Sequence, residues 1–271
     1  MEIFKYLDDY SNYLKNNPFH RGLNIDLKEY GDLKTKHTDI LNLDPGKKVP
    51  HQAELDDLIR LHYLITSRKV TTILEFGVGK STYVFNDALE QNKSKYLSFV
   101  KNNLRRSNPF ECHSIDNNKD WIKHTKKDFP YLDNVVFYHS ECEMSTFNSR
   151  VCTFYKNIPN VCPDFIYLDA PDQWSPVGDI RGVSTNHPDR LPMSADILAL
   201  EHFLLPGTMI VLDGRTANAR FLKCNFQRDW DYYHDSEFDQ HFFELNEDPL
   251  GKINKEHIEF SKSLNDFNQE N

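Results

Sequence analysis

The sequence predicts an α/β domain built on a mostly parallel, doubly wound sheet, and three observations carry that prediction. Thr71 to Ser81 reads Thr-Thr-Ile-Leu-Glu-Phe-Gly-Val-Gly-Lys-Ser, after which Val84, Phe85, Ala88 and Leu89 share one helical face. That is a buried strand, a tight glycine turn and a helix. Short apolar runs then alternate with helical stretches along the chain, the pattern of strands joined by crossover helices. Finally, four of those runs close on a carboxylate: Glu75, Asp116, Asp169 and Asp213. Ligands of doubly wound sheets bind beyond the carboxyl ends of the strands, so four acidic ends should converge on one binding rim.

Taken in order, residues 1–50 are polar and aromatic-rich, with helical hints at Ile3, Tyr6, Leu7 and Tyr10, and with turns at Asn16-Asn17-Pro18 and Asp44-Pro45-Gly46. They read as an N-terminal helical extension packed on the main domain, which spans 51–271. From Gln52 to Ser67, Leu55, Leu58, Ile59, Leu61, Leu64 and Ile65 recur at helical spacing. The first strand follows at Thr71–Leu74, then strands at Glu111–Asp116, Asn134–His139 (closed by Ser140-Glu141) and Asp164–Asp169. Pro192, Met193 and Ser194 open a helix through Phe203, with Ser194 as N-cap and Pro206-Gly207 as its stop. A fifth strand covers Thr208–Asp213. Trp230–His234 and His241–Leu245 form an antiparallel hairpin at the sheet edge.

Gly77 and Gly79 permit the turn and let a ligand approach the backbone. An acidic strand end before them suits a ligand with hydroxyls and positive charge better than a bare phosphate. Two familiar phosphate motifs fail. A P-loop needs a glycine five positions before Gly79-Lys80, and Leu74 stands there; a dinucleotide fingerprint needs a third glycine where Thr82 stands.

Hydrophobic residues make up 39% of the 271, enough for a substantial core. A net charge of −9 argues against nucleic acid as an electrostatic partner, and the basic stretch Lys93–Arg106 reads as a solvated helix face. Cys112, Cys142, Cys152, Cys162 and Cys224 contain no Cys-x-x-Cys pair, which fits reduced thiols in a cytoplasmic protein. No apolar run approaches the roughly 20 residues of a membrane span, and the N-terminus has no signal pattern.

From about residue 70 to 245 the chain resembles the class I S-adenosylmethionine-dependent methyltransferases. Leu74 to Ser81 looks like the family's first motif, whose loop cradles the methionine moiety, so the resemblance implies Glu75, Gly77, Gly79 and Ser81 as cofactor-binding residues. Asp116 matches the acidic residue that grips both ribose hydroxyls. Ser140 and Glu141 sit where the family contacts adenine, and Asp169, in Tyr-Leu-Asp-Ala-Pro, faces cofactor and acceptor. The C-terminal hairpin fits the family's reversed last strand, which implies a Rossmann-like seven-stranded sheet. A sulfonium and an ammonium group suit carboxylates, and paired hydroxyls suit the two oxygens of Asp116. One departure is the spacing: Gly77 and Asp116 lie 116 − 77 = 39 positions apart, against roughly 20 in related sheets, so residues 92–110 are expected to be an insertion.

The acceptor side is the long polar connection 170–192. It reads either as an acceptor lid or as a structural excursion packed on the N-terminal extension. Asp169, Asp172 and His187 are the candidate bases for methyl transfer to a hydroxyl, with His187 having the most suitable ordinary pKa. Asp169, Asp172 and Asp213 also resemble the metal-binding set of catechol-type O-methyltransferases, but Gly214 replaces its asparagine, so metal dependence is not favoured. Arg215, Asn218 and Arg220 could bind an anionic or sugar-like acceptor. The resulting expectation is a methyltransferase using S-adenosylmethionine on a hydroxyl of a small molecule, a sugar or secondary metabolite, with no nucleic-acid or membrane partner and homo-oligomerisation left open. The alternatives are an NAD-dependent oxidoreductase and a catalytically silent cofactor-binding scaffold.

Overall fold

The structure, a computed structural model, describes Ile3, Phe4, Leu7 and residues 9–27 and 54–263. The expected turn at Asp44-Pro45-Gly46 and the hint at Tyr6 lie outside them. Seven strands form the main sheet: β1 Thr72–Phe76, β2 Glu111–Asp116, β3 Val135–His139, β6 Phe165–Leu168, β7 Met209–Asp213, β8 Trp230–Asp235 and β9 Gln240–Leu245. They run in the order β3-β2-β1-β6-β7-β9-β8. The first five pair in parallel, while β9 runs antiparallel to both β7 and β8. This is the Rossmann-like doubly wound sheet with a reversed last strand that the sequence predicts.

Strands β1 and β6 are buried at every position. Helices cover both faces of a parallel sheet, so its central strands read as continuous apolar runs rather than alternating ones. One core layer joins Leu74, Phe76, Ile166, Leu168, Ile210 and Leu212 to the Ala195–Leu204 segment. The other joins Ile73, Phe165, Met209 and Val211 to Leu61, Leu64, Phe85 and Leu89, from helices α2 (Leu55–Ser67) and α3 (Lys80–Asn103). The remaining helices are α1 (Tyr10–Asn16), α4 (Lys119–Asp128), α5 (Asp196–Leu200), α6 (Thr216–Asn225) and α7 (Gly251–Lys262). Helix α1 and Phe19 pack on α2, where the Tyr13 hydroxyl meets His62 Nδ1 at 2.7 Å and the Phe19 ring stacks on the imidazole. Among the described residues no helix is long and apolar enough to cross a membrane.

Several expectations need correction. Residues 92–110 are no inserted module: α3 continues for 24 residues to Asn103, because Asn92, Tyr96 and Val100 extend its buried stripe. Asn92 Nδ2 also donates to the carbonyls of Ile65 and Val70. Ser194 is not an N-cap. It lies in an isolated bridge to Thr153, the helix begins only at Asp196, and a 3₁₀ turn takes over at Glu201–Phe203. Among the described residues, the connection 170–192 packs on a second, two-stranded sheet, β4 (Cys142–Phe147) and β5 (Arg150–Tyr155). Met144 N donates to Val177 O and Val177 N to Cys142 O. Neither this hairpin nor α7 was foreseen.

At the amino-terminal edge of the sheet Asp164 ties four segments together. Its carboxylate accepts from the amides of Thr71 and Thr72, the Thr71 hydroxyl and His257 Nε2 of α7, with Arg106 at 3.6 Å. Burial alone would raise its pKa, but Arg106, His257 and the amides outweigh it and hold the carboxyl far below the usual range. A depressed folded-state pKa contributes stability above the unfolded value and loses it as pH falls through and below about 4. Asp164→Asn is expected to cost about 3 kcal/mol at pH 7, read as a lower urea midpoint, and to flatten the acid-side decline in stability.

Candidate functional site

Strand register builds the site. Phe76 lies opposite both Ile115 and Leu168, and Leu168 opposite Leu212. The next residues, Gly77, Asp116, Asp169 and Asp213, therefore emerge level with one another along one edge. The strand order reverses between β1 and β6, the place where such sheets open a ligand crevice.

Gly77 has φ +108°, and a Cβ there would lie 3.3 Å from Ala170 Cβ, so both conformation and space demand glycine. Gly79 is different: its φ of 177° is ordinary extended backbone, and a Cβ would meet nothing within 4 Å. Its backbone faces open space at the start of α3, where a ligand can reach it.

Glu75 does not reach that space. It is fully buried and accepts from Ser81 Oγ at 2.6 Å, Thr82 Oγ1 at 2.8 Å and Ser114 Oγ at 2.5 Å. Burial lifts its pKa to about 7 against the lowering effect of these hydroxyls. Glu75 and Ser81 thus hold the glycine loop from behind.

Asp116 sits at the rim, 6% exposed. Its Oδ2 accepts the Val78 amide at 3.1 Å, and Oδ1 accepts Asn118 N at 2.7 Å. Burial raises its pKa to about 6; the two amides oppose this, and the charges of Asp172 and Asp169 reinforce it. Asp169 also acts electrostatically on Glu75 and Asp213, so it stands at the centre of the acidic edge. Arg215 clamps it: Nε lies 3.3 Å from Asp169 Oδ1, Nη1 donates to Pro171 O at 2.9 Å, and Nη2 donates to Asp169 O. Asp172 turns one oxygen, Oδ1, to the amides of Trp174 and Ser175.

Asp213 and Asp57 meet at the far end of this edge. Each has a buried oxygen without a hydrogen bond, and burial together with their neighbouring carboxylates drives both pKa values up. The divalent-metal arrangement does not fit here: a guanidinium already neutralises Asp169, and Gly214 supplies no ligand.

Other expected residues are spent elsewhere. Ser140 Oγ accepts the Asn157 amide, and Glu141 pairs with Lys156 at 2.7 Å on the surface. His187 is exposed, its Nδ1 accepting the Asp189 amide. Asn218 staples Ser194 through both backbone groups. The structure adds Tyr155, from the hairpin that periodicity missed. Its ring packs on Phe76 at 5.8 Å, its buried hydroxyl has no hydrogen-bond partner, and its electrostatic neighbours include Asp116 and Arg215. Alternation in Val151, Thr153 and Tyr155 was the one available signal.

An orphaned hydroxyl, an open backbone approach at Gly79 and carboxylates carrying excess negative charge fit a ligand with hydroxyls and positive charge. Fold and strand ends together define a Rossmann-like α/β domain with an acidic rim at its switch point. Solved structures similar to this chain include a methyltransferase from Podospora anserina bound to S-adenosylhomocysteine, 12% identical over 74% of this chain and 83% of its own, TM-score 0.42. An O-methyltransferase from Bacillus cereus in complex with S-adenosylhomocysteine is 12% identical over 88% and 100%, TM-score 0.38. The O-methyltransferase TomG of Streptomyces achromogenes, involved in tomaymycin synthesis, is 11% identical over 89% and 91%, TM-score 0.38. No family model and no curated protein matches the sequence.

Removing the orphaned hydroxyl should not weaken the fold. Tyr155→Phe is expected to leave the thermal midpoint unchanged or to raise stability by up to about 1 kcal/mol, since it deletes an unsatisfied buried group; a clear drop in midpoint would reveal a partner for it.

Proposed function

We propose that this protein is an S-adenosylmethionine-dependent methyltransferase that moves a methyl group to a hydroxyl of a small molecule, a sugar or secondary metabolite. The observation that carries the reading is Asp116, a buried carboxylate beside the switch point. Backbone amides take one acceptor site on each of its oxygens, leaving others for two ribose hydroxyls. Gly77 and Gly79 give the methionine moiety its approach, with Glu75 and Ser81 fixing the loop behind them. The Ser140-Glu141 turn would hold the adenine through its backbone and shape, since both side chains are engaged within the protein.

Bound in this crevice, the cofactor supplies an electrophilic methyl group on a cationic sulfur. The chain's part is to stabilise that charge, orient the acceptor and take a proton. Asp116, buried beside the switch point, provides the negative charge, while Asp169 is exposed and paired with Arg215. Asp172 is the base in this proposal, supported by its Oδ2, which accepts no hydrogen bond among the described residues. The acceptor hydroxyl would give its proton to that carboxylate, freeing its oxygen to take the methyl group that the cofactor would supply, the cofactor leaving as a neutral thioether. His187, exposed and turned to Asp189, has no place in this step. The 170–192 connection serves as the acceptor lid, supported by the exposed apolar side chains of Trp174, Val177, Val183 and Leu191. Residues 1–50 belong to the same reading as an extension of a 51–271 catalytic domain. A cytoplasmic setting is supported by five free cysteines, and a small acceptor rather than nucleic acid by the net charge of −9.

Two measurements test this. Asp116→Ala should weaken S-adenosylhomocysteine binding tenfold or more, roughly 1–3 kcal/mol for hydroxyls left without their acceptor; an unchanged dissociation constant in calorimetry would refute the assignment. The raised pKa of Asp116, about 6, gives a sign to the pH dependence. The ionised carboxylate is the form that binds hydroxyls and cation, so affinity should fall about tenfold from pH 7 to pH 5 in the native protein. That slope should vanish in Asp116→Asn.

A further inference from the structure

Outside the acidic crevice, the β8–β9 hairpin gathers His234, Asp239 and His241 so that one donor atom from each lies within 4.8 Å of the others. His234 Nε2 is 3.3 Å and His241 Nε2 3.8 Å from Asp239 Oδ1. Ligand atoms held about 2.0–2.2 Å from a common first-row ion lie roughly 3–4 Å from one another, so these separations are those of a chelating set.

Two of the three donors are fixed by their surroundings. His241 is fully buried, and its Nδ1 lies 3.0 Å from the Tyr232 hydroxyl, which leaves Nε2 aimed at Asp239. An outer partner on the second ring nitrogen is what orients a metal-ligating imidazole. Asp239 has φ +48°, a left-handed backbone uncommon for a residue with a side chain, and its carbonyl is held by the Gly214 amide at 3.0 Å. Thr216 Oγ1 stands 3.0 Å from His241 Nε2 and 3.1 Å from Asp239 Oδ1, a fourth oxygen on the same point. The carboxylate of Asp213 lies close enough to repel that of Asp239, and a cation at the hairpin would relieve that repulsion.

We propose that His234, Asp239 and His241 form a binding site for a first-row divalent cation, with the Thr216 hydroxyl beside it. Two imidazoles and one carboxylate select zinc, cobalt or nickel over magnesium or calcium, which prefer oxygen ligands. The two imidazole rings are stacked, with centroids 4.0 Å apart and planes 15° from parallel, so both lone pairs cannot meet at one point as the rings stand. His241 and Asp239 are the preset pair, and the more exposed His234 turns about its ring torsion to complete the set. Bound there, the ion staples the hairpin to the first turn of α6. The proposal does not depend on the methyltransferase reading.

The test uses the full chain stripped with a chelator, dialysed and titrated with Co(II) while the visible spectrum is followed. One equivalent should bind with the absorption of a low-coordinate, nitrogen- and oxygen-ligated ion, and zinc should displace it. His234→Ala and Asp239→Asn should each weaken binding at least tenfold, with little change in the melting temperature of the metal-free protein; both replace side chains at the open side of the cluster rather than the buried His241. Absence of binding would overturn the proposal, as would unchanged affinity in either variant. So would an intense sulfur-to-cobalt charge-transfer band, which would place the ion on the exposed Cys162 or Cys224.

Discussion

Everything at the functional edge follows from the shared register of the parallel strands. Because Phe76, Ile115, Leu168 and Leu212 are mutually level, the residues after them must emerge together, whatever their charge. Evolved sequences can use that constraint only by accepting its cost. Here three of the four emerging residues, Asp116, Asp169 and Asp213, are carboxylates, and the charge of Asp169 adds to burial in raising the pKa of both Asp116 and Asp213. A strand slipped by one residue would turn the alternate face outward and scatter them.

The two ends of the sheet treat buried charge in opposite ways. At the amino-terminal edge Asp164 accepts from amides, a hydroxyl and His257, beside the Arg106 guanidinium, and its carboxyl stays ionised. At the carboxyl-terminal edge Tyr155 and Asp213 keep buried polar atoms unpaired, and Asp57 does the same from α2. Unpaired buried groups cost stability unless something else offsets them. Arg106 Nε is left unpaired at the amino-terminal edge, but the three unpaired atoms of Tyr155, Asp213 and Asp57 belong to elements that reach the acidic edge, where a ligand can relieve their cost. Glu75 marks the boundary: three hydroxyls and complete burial make it part of the scaffold, although it lies in the loop motif itself.

The β4–β5 hairpin carries a second consequence. It occupies the stretch between β3 and β6, receives the 170–192 connection through Val177 and Met144, and delivers Tyr155 to the crevice. The polar connection is therefore anchored on one side by a small sheet and on the other by the Arg215 clamp on Asp169 and Pro171. Among the mostly polar residues exposed on it stand four large apolar side chains, Trp174, Val177, Val183 and Leu191.

Local chemistry determined much of this protein in advance. Apolar runs mark β1, β6 and β7, because strands covered on both faces carry no polar alternation to confuse the reading. The glycine turn and the acidic strand ends gave the rim, because Gly77 needs a positive φ and carboxylates cap successive strands. The hairpin β4–β5 escapes the pattern because both its faces mix polar and apolar residues: Cys142, Met144 and Tyr155 share one with Thr146 and Thr153, and Phe147, Cys152 and Phe154 share the other with Glu143, Ser145 and Arg150. The extra length of α3 is hard to read from the sequence because its later turns bury only a thin stripe against α7, an element itself held by distant partners. Which carboxylates face a ligand was a tertiary decision. Glu75 turns inward because hydroxyls from two other segments meet it; Glu141 turns outward to Lys156; Asp169 is claimed by a guanidinium 46 residues away. Sequence fixes which side chains arrive at the edge, since that depends on strand ends; only packing fixes their partners, since those come from elements far apart along the chain.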